Sequence, residues 1–132
     1  MNISRRLNRL AELVTEGSRL ADVGTDHGYV PLCLCREKKI PSAIAMDINE
    51  GPLKRAKSHI ADAGLENYIE TRLSDGLHEL RGGEADTVLI AGMGGALMVR
   101  ILTEGTRALM GVRELVLQPQ SEIDEVRRWL CT

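Results

Sequence analysis

The feature that most restricts the fold of this chain is the alternation of short apolar stretches with longer amphipathic ones. The apolar stretches predict strands at residues 19–24, 42–48, 68–74, 85–93 and 114–119. The segments around them predict helices at residues 3–15, 29–39, 51–64, 96–103 and 121–131. Strands that alternate with helices form a mostly parallel sheet with helices on both faces, joined by right-handed crossovers. The sequence therefore predicts an α/β fold.

The first predicted helix has one apolar face. Its members are Ile3, Leu7, Leu10, Leu13 and Val14. They recur at helical spacing, so this face is expected to pack on the sheet. We expect Gly17 to end this helix and Gly64 to end the helix that begins near Pro52.

Composition narrows the class of protein. The chain has 132 residues, of which 43% are hydrophobic, and a net charge of −2, as expected for one globular domain with no overall attraction to nucleic acid. It has no run of 18 apolar residues and no signal-peptide pattern, so we expect no membrane span. The three cysteines, Cys33, Cys35 and Cys131, form no metal-type pair. We therefore expect free thiols, no metal site and a reducing, cytoplasmic location.

The carboxyl ends of the predicted strands carry the residues of most chemical interest, because ligands bind beyond these ends in open parallel sheets. The first strand ends in "DVGTDHG", the second at Asp47, the third before Asp75, and the fourth in "AGMGG". Each feature alone also fits a structural role, since glycines make turns and an Asp often caps a helix. Together they predict a ligand site. Gly24 and Gly28 would let the backbone approach the ligand, while Asp47 would accept hydrogen bonds from ribose hydroxyls and Asp75 would read an adenine amino group.

The first loop discriminates between cofactors. Gly24 and Gly28 are spaced G-x-x-x-G rather than G-x-G-x-x-G, and the chain has no GK[ST] sequence, so neither a dinucleotide fingerprint nor a P-loop is present. Asp26 in this turn would repel a pyrophosphate. S-adenosylmethionine, which carries a sulfonium, an ammonium and one carboxylate, suits the acidic turn better. We therefore expect this cofactor rather than NAD.

The motifs "DVGTDHGYVPL", "AIAMDINEGPL", "SDGL", "VLIAGMGGALM" and "LVLQPQ" occur in this order along the chain. In this order and spacing, from about Leu7 onward, the chain resembles the bacterial tRNA adenine(22)-N1 methyltransferase family. The resemblance implies a Rossmann-like class I methyltransferase fold with sheet order 3-2-1-4-5 for the five strands present. It also implies that residues 1–132 form an S-adenosylmethionine-binding domain that lacks the last two strands and the helical second domain of the family. "LQPQ" stands where the family would have "LQPN", which leaves one contact at Gln120 open.

The resemblance implies roles for matching positions. Asp26 would be the catalytic residue that contacts the substrate base. The cofactor would be bound by Asp22, Gly24, His27, Gly28, Asp47, Ile48, Asp75, Gly76, Gly92 and Met93. Gly94 and Gly95 would contribute to the floor on which the substrate base meets the methyl group.

The chemistry of such a transfer requires little more than positioning. N1 of adenine has a free lone pair and attacks the methyl carbon in line. Because the product base is cationic, a carboxylate at Asp26 would stabilise the charge or accept a proton from N6. His27 is an alternative, although a histidine in a turn is more often a structural hydrogen-bonding residue. A paired or stacked adenine must first be extruded.

Contact with tRNA needs positive charge, and Arg5, Arg6 and Arg9 make the first helix basic. Arg5 and Arg9 are predicted to contact the substrate, although a solvated helix face is the simpler interpretation of any one cluster. Two other functions remain open. One is a class I methyltransferase with another substrate, and the other is a truncated remnant that binds the cofactor or RNA without turnover.

The fifth strand, residues 114–119, is expected to lie at an open edge with Leu115, Val116 and Leu117 in a row. Unpaired backbone groups at such an edge invite pairing with another chain. We therefore expect the 132-residue chain to self-associate or to be marginally stable, with little methyl transfer to tRNA.

Overall fold

The fold was obtained as a computed structural model, which describes residues 5–131. Ile3 of the predicted first helix therefore lies outside the described residues. The helices are α1 (Arg5–Leu13), α2 (Tyr29–Arg36), α3 (Glu50–Asp62), α4 (Gly95–Glu104) and α5 (Ile123–Leu130). The strands are β1 (Arg19–Val23), β2 (Ser42–Asp47), β3 (Ile69–Leu73), β4 (Thr87–Met93) and β5 (Glu114–Pro119).

The five strands form one parallel sheet in the order β3-β2-β1-β4-β5. This confirms the predicted α/β class and the strand order implied by the family resemblance. The order reverses direction between β1 and β4, which are neighbours in space. A cleft is expected beyond the carboxyl ends of the strands at this switch.

Apolar side chains cover both faces of the sheet because successive residues of a strand point to opposite sides. On one face, Leu20 of β1 and Leu89 of β4 belong to a buried cluster with side chains of α1, α2 and α3. On the other face, Ala21 of β1 and Ile90 of β4 belong to a cluster with side chains of α4 and α5. The fold is therefore a three-layer α/β/α arrangement.

The apolar face of α1 differs from the predicted one. Leu10, Ala11 and Val14 are buried, whereas Leu13 is 58% exposed, so the assignment of Leu13 to this face was wrong. At 100° per residue, Leu13 lies well away from the centre of the stripe that Leu7, Leu10, Ala11 and Val14 share. The helix also ends at Leu13, and Gly17, with φ of +82°, instead turns the chain toward Lys39, whose carbonyl accepts its N–H at 2.7 Å.

Two helix ends show how the chain stops a helix with and without glycine. Gly64 has φ of +70°, and it follows α3 as predicted, with the N–H of Leu65 bonded to the carbonyl of Ile60. Helix α2 ends at Arg36, earlier than predicted, because Lys38 adopts φ of +60° and the N–H of Lys39 bonds to the carbonyl of Leu34. Both ends have the Schellman pattern, and a lysine in the left-handed position carries no sequence signal for it.

Strand β5 lies at one edge of the sheet, as expected, but its side chains are not exposed in a row. Val116 is buried in the cluster beneath α1, α2 and α3. Leu115 and Leu117 pack against the opposite cluster. What the edge presents is therefore mainly backbone rather than apolar side chains.

None of the helices between residues 5 and 131 combines the length and apolar character needed to cross a lipid bilayer.

Candidate functional site

A cleft of about 410 Å³ opens at the carboxyl ends of β1, β2, β4 and β5. Five of the predicted site residues line it: Asp22, Gly24, Asp26, Asp47 and Gly92. The cleft is closed on one side by Arg6, Leu7 and Leu10 of α1. Its remaining wall residues are Thr25, Tyr29, Val30, Asn49, Pro52, Leu89, Ala91 and Gln120.

The loop after β1 is fixed from both ends by backbone contacts. The N–H groups of Gly24 and Thr25 both donate to the carbonyl of Met46, at 2.9 and 2.8 Å. Gly24 has φ of +76°, which favours glycine, and a Cβ there would lie 3.3 Å from Cε of Met93. This glycine therefore serves the turn that brings the loop back over the ends of β1 and β2.

Gly28 has a different task. It also has a positive φ, +74°, but a Cβ there would lie 3.2 Å from Cβ of Ala56 in α3. Gly28 is buried and lies outside the lining of the cleft. Its placement lets the start of α2 pack closely on α3.

Asp22 is a buried carboxyl group at the base of the cleft, with 6% of its surface exposed. The hydroxyl of Thr25 donates to its Oδ2 at 2.9 Å. Burial raises the pKa of Asp22 to about 7, and the negative charges of Asp47 and Asp26 add to this rise, while the Thr25 hydrogen bond opposes it. Asp22 therefore gains and loses a proton in the physiological pH range.

Asp47 ends β2 and points into the cleft. The N–H of Asn49 donates to its Oδ1 at 3.0 Å, and the N–H of Asp26 approaches its Oδ2 at 3.5 Å. Each carboxylate oxygen has more than one acceptor position. Asp47 can therefore hold the loop after β1 and still accept hydrogen bonds from hydroxyl groups in the cleft.

Asp26 stands at the mouth of the cleft with its side chain 69% exposed. Its φ is +57°, a left-handed conformation that Asp and Asn adopt more readily than most residues. Oδ1 of Asp26 lies 3.6 Å from Nε2 of His27, the next residue. Its carboxylate is thus solvent-accessible at the mouth of the cleft.

Three rings stack beside the mouth of the cleft. The ring centroids of His27 and Tyr29 are 5.1 Å apart, and that of His59 lies 5.8 Å from His27 and 5.7 Å from Tyr29. Nδ1 of His59 lies 3.1 Å from the carbonyl of His27, which can only accept, so this nitrogen carries the proton. Tyr29 belongs to the wall of the cleft, whereas His27 does not. Among residues 5–131, Nδ1 of His27 is buried without a hydrogen-bond partner.

The end of β4 contains an irregularity in its pairing with β5. The register shifts between Ala91 and Met93, where Gly92 has φ of +76°. Bulges of this kind often re-aim a strand next to a binding site. Gly92 lines the cleft, but Met93 does not.

Gly94 and Gly95 lie beyond the cleft, against the chain that follows β5. The N–H of Gly95 donates to the carbonyl of Ser121 at 2.9 Å, and the N–H of Ala96 donates to Oε1 of Glu122 at 3.3 Å. A Cβ on Gly95 would lie 2.3 Å from the carbonyl oxygen of Glu122. In this placement, both glycines make room for residues 121–122.

The other sequence-predicted residues lie outside this cleft. Asp75 is exposed, just beyond β3, where the N–H of Ser74 bonds to the carbonyl of Asp47. Gly76 has φ of +59° and packs toward Ile101, and Ile48 is 58% exposed. The exposed side chains of Arg5 and Arg9 are not part of the lining, whereas the intervening Arg6 is.

A second cleft, of about 620 Å³, lies near the amino ends of the strands, between the end of α2 and the start of β2. Arg36, Lys38, Leu65 and Tyr68 are among its lining residues. It contains none of the residues that follow a strand's carboxyl end. The smaller cleft is therefore the better candidate site. Within residues 5–131, no group of three or more His, Cys, Asp or Glu side chains is arranged to hold a metal ion.

Sequence reasoning missed several residues of the cleft. Thr25 and Tyr29 lie inside the first quoted motif and could have been found from their place beside the glycines. Gln120 was noted only as a departure from a family pattern. The helical period could have separated Arg6 from Arg5 and Arg9, because it places Arg6 about 90° from the centre of the apolar stripe of α1 and the other two about 150–170° from it.

Comparison with known proteins relates the whole chain to methyltransferases. Residues 3–132 match a family described as a methyltransferase domain. The chain is 41% identical over 130 residues to the tRNA (adenine(22)-N(1))-methyltransferase of Bacillus subtilis. The aligned region covers 98% of this chain and 55% of that protein.

Two solved structures resemble the fold closely. A Streptococcus pneumoniae protein in complex with S-adenosyl-L-methionine matches with a TM-score of 0.95 and 42% identity over 98% of this chain and 61% of that one. A protein of M. capricolum in complex with S-adenosyl-homocysteine matches with a TM-score of 0.84 and 31% identity over 96% of this chain and 56% of that one. The chain thus spans little more than half the length of these relatives.

Proposed function

Because this chain belongs to the methyltransferase domain family, we propose that it transfers the methyl group of S-adenosylmethionine to N1 of an adenine in tRNA. The similarity to the B. subtilis enzyme supports the choice of base and atom. The same similarity supports our proposal that residues 1–132 form the cofactor-binding domain of a methyltransferase.

The observation that carries the proposal is the acidic character of the cleft. Asp22, Asp26 and Asp47 line it together, against one arginine, Arg6. Three carboxyl groups disfavour a pyrophosphate and suit a ligand with a sulfonium, an ammonium and ribose hydroxyls. The residues present therefore fit S-adenosylmethionine.

The proposed roles follow from position. Asp47 accepts hydrogen bonds from the cofactor ribose, and Ile48, Asp75 and Gly76, beyond the ends of β2 and β3, flank its adenine. The loop from Asp22 to Asp26 surrounds the rest of the cofactor. The end of β4, from Gly92 to Gly95, forms the border with the substrate base.

When bound, S-adenosylmethionine supplies an electrophilic methyl group, which the N1 lone pair attacks while the carbon–sulfur bonding pair passes to sulfur. Asp26, exposed at the mouth of the cleft, stabilises the positive charge on the methylated base or accepts a proton from N6. The α1 arginines, Arg5 and Arg9 together with Arg6, contact RNA phosphates.

The proposal is tested first by calorimetry. S-adenosylmethionine and S-adenosylhomocysteine should bind, and NAD should not. Asp47→Ala should weaken cofactor binding by about 1–3 kcal/mol, the loss expected for hydrogen bonds to a charged group. Asp62→Ala, which removes an exposed carboxylate at the end of α3, is the matched control and should leave the affinity unchanged. Tighter binding of NAD would reject the proposal.

The second test is methyl transfer to a bacterial tRNA transcript, followed by mapping of the product nucleoside. Formation of 1-methyladenosine supports the proposal. Cofactor binding with methylation of a different substrate would indicate another class I methyltransferase. Binding without any transfer would indicate a non-catalytic cofactor-binding protein.

We also propose a cytoplasmic location, since tRNA is the substrate and the three cysteines are free thiols. Self-association through the backbone edge of β5 is a further part of the proposal.

A further inference from the structure

Gln120 occupies the end of the cleft farthest from Asp47. The sheet order places the carboxyl ends of β2, β1, β4 and β5 side by side, with Asp47 after β2 and Gln120 after β5. Three strand spacings separate them, or about 14 Å. If Asp47 marks the cofactor ribose, Gln120 lies on the side where the acceptor base must enter.

The backbone of Gln120 is firmly held. Its N–H donates to the carbonyl of Met93 at 2.9 Å. The next residues are tied to the start of α4, since Ser121 accepts from Gly95 and Glu122 accepts from Ala96. The position of the Gln120 Cα relative to the end of β4 is therefore fixed.

The side chain of Gln120, in contrast, is available. It is exposed, and its amide makes no hydrogen bond to another residue of the range 5–131. Its Nε2 lies 3.9 Å from the point where a Cβ on Gly92 would stand. The amide is thus directly beside the glycine bulge that ends β4, with its donor and acceptor free.

A primary amide has a specific partner on adenine. The oxygen of Gln accepts from the N6 amino group while its NH₂ donates to N7, and this bidentate pair leaves N1 untouched. N1 is the atom that must face the methyl group. Guanine has an acceptor at O6 in place of the amino group, so the same pairing cannot form.

We propose that Gln120 recognises the acceptor adenine through its N6 and N7 positions and so orients N1 toward the cofactor. This inference rests on the proposed function. It makes Gln120 a specificity-determining residue, whereas Asp26 acts on the charge that forms during the transfer.

The test uses two tRNA transcripts that differ at one atom. One carries adenosine and the other 7-deazaadenosine at position 22, the position named for the B. subtilis relative. Dissociation constants are measured with saturating S-adenosylhomocysteine, so that no turnover is needed, and single-turnover methylation is measured separately with S-adenosylmethionine. Wild-type protein should disfavour the 7-deaza transcript by about fivefold, the value of one neutral hydrogen bond.

Gln120→Ala removes both hydrogen bonds of the pair, so it should bind the adenosine transcript about 25-fold more weakly, the value of two neutral hydrogen bonds, and show no preference between the two transcripts. Asn67→Ala, which removes another exposed amide outside this cleft, should behave as wild type. Equal binding of both transcripts by wild-type protein, or an unchanged preference in Gln120→Ala, would overturn the inference. Absence of methylation with the binding preference intact would instead reject only the proposed transfer, so the two failures are distinguishable.

Discussion

At the scale of single residues, the three carboxyl groups of the cleft differ in environment and therefore in the work they can do. Asp22 is buried and bonded to Thr25, Asp47 holds the backbone of Asn49, and Asp26 is exposed in a left-handed conformation. Of the three, only Asp26 has an exposed carboxylate that can reorient toward positive charge on a ligand at the mouth of the cleft. We therefore expect Asp22 and Asp47 to contribute to ligand binding and Asp26 to the chemistry.

Asp26→Ala should lower the methyl-transfer rate more than it lowers cofactor affinity, because we propose that its exposed carboxylate faces the acceptor base rather than the cofactor ribose. Asp26→Asn is the better-matched variant, since Asn tolerates the φ of +57° that Ala does not. Single-turnover rates and calorimetric cofactor affinities would be compared for both variants. Equal losses in rate and affinity would assign Asp26 to cofactor binding alone.

Asp22 should make stability depend on pH. In the folded state Asp22 keeps its proton up to about pH 7, whereas in the unfolded chain Asp22 loses the proton near pH 3.8. Between these values the folded state binds more protons, so the stability contributed by this group falls as pH rises through the window and stays low above it. Asp22→Asn keeps the shape and removes the titration.

The melting temperature of wild-type protein, measured from pH 5 to 8, should therefore fall relative to that of Asp22→Asn, which should be the more stable variant at pH 8. Hydrogen bonds from Arg72 to Glu84 and from Arg19 to Asp86 lower the pKa of each carboxyl to about 2. These two groups change the stability in the opposite direction, and they titrate below the measured pH range. Parallel pH curves for the two proteins would mean that the pKa of Asp22 is not raised.

At the scale of elements, the start of α4 depends on the segment after β5. The N–H groups of Gly95 and Ala96 have no partner within their own helix, as at every helix start, and residues 121–122 accept from both. Glu122 adopts φ of +54° to reach this position. The β5–α5 connection therefore fixes the end of β4 and the beginning of α4, which border the proposed acceptor side of the cleft.

Gly95→Ala should destabilise the protein by about 1–3 kcal/mol, because its methyl group would lie 2.3 Å from the carbonyl oxygen of Glu122. Gly51→Ala in α3 is the matched control. It meets only Nη1 of Arg55, at 3.7 Å, and should stabilise by about 0.5–1 kcal/mol. Urea denaturation measures both. Equal stabilities for the two variants would show that the Gly95 contact relaxes at no cost.

At the scale of the whole molecule, the sheet is covered on both faces but open at β5. The apolar side chains of β5 pack into the clusters on either face, and the outer backbone groups of β5 have no strand partner among the described residues. An edge of this kind pairs with other chains through its backbone. A second copy joined through β5 would give a continuous sheet across a two-fold axis.

The 132-residue chain should therefore sediment with an average mass that rises with protein concentration. Sedimentation velocity over a hundredfold concentration range measures this. A monomer at all concentrations would contradict the prediction and show that the edge is protected.

The sequence alone was enough to predict the strands, the α/β class and the acidic strand ends, because periodicity and the residues that follow a strand are local properties. The order of the strands came with the family resemblance. Only the tertiary structure showed which glycines are needed for a turn and which for a close contact. Gly28 packs against Ala56, and Gly95 packs against Glu122, in each case from a distant part of the chain. It likewise brought Gln120 beside Gly92. These placements depend on how helices rotate and strands pair, and no pattern in neighbouring residues encodes that.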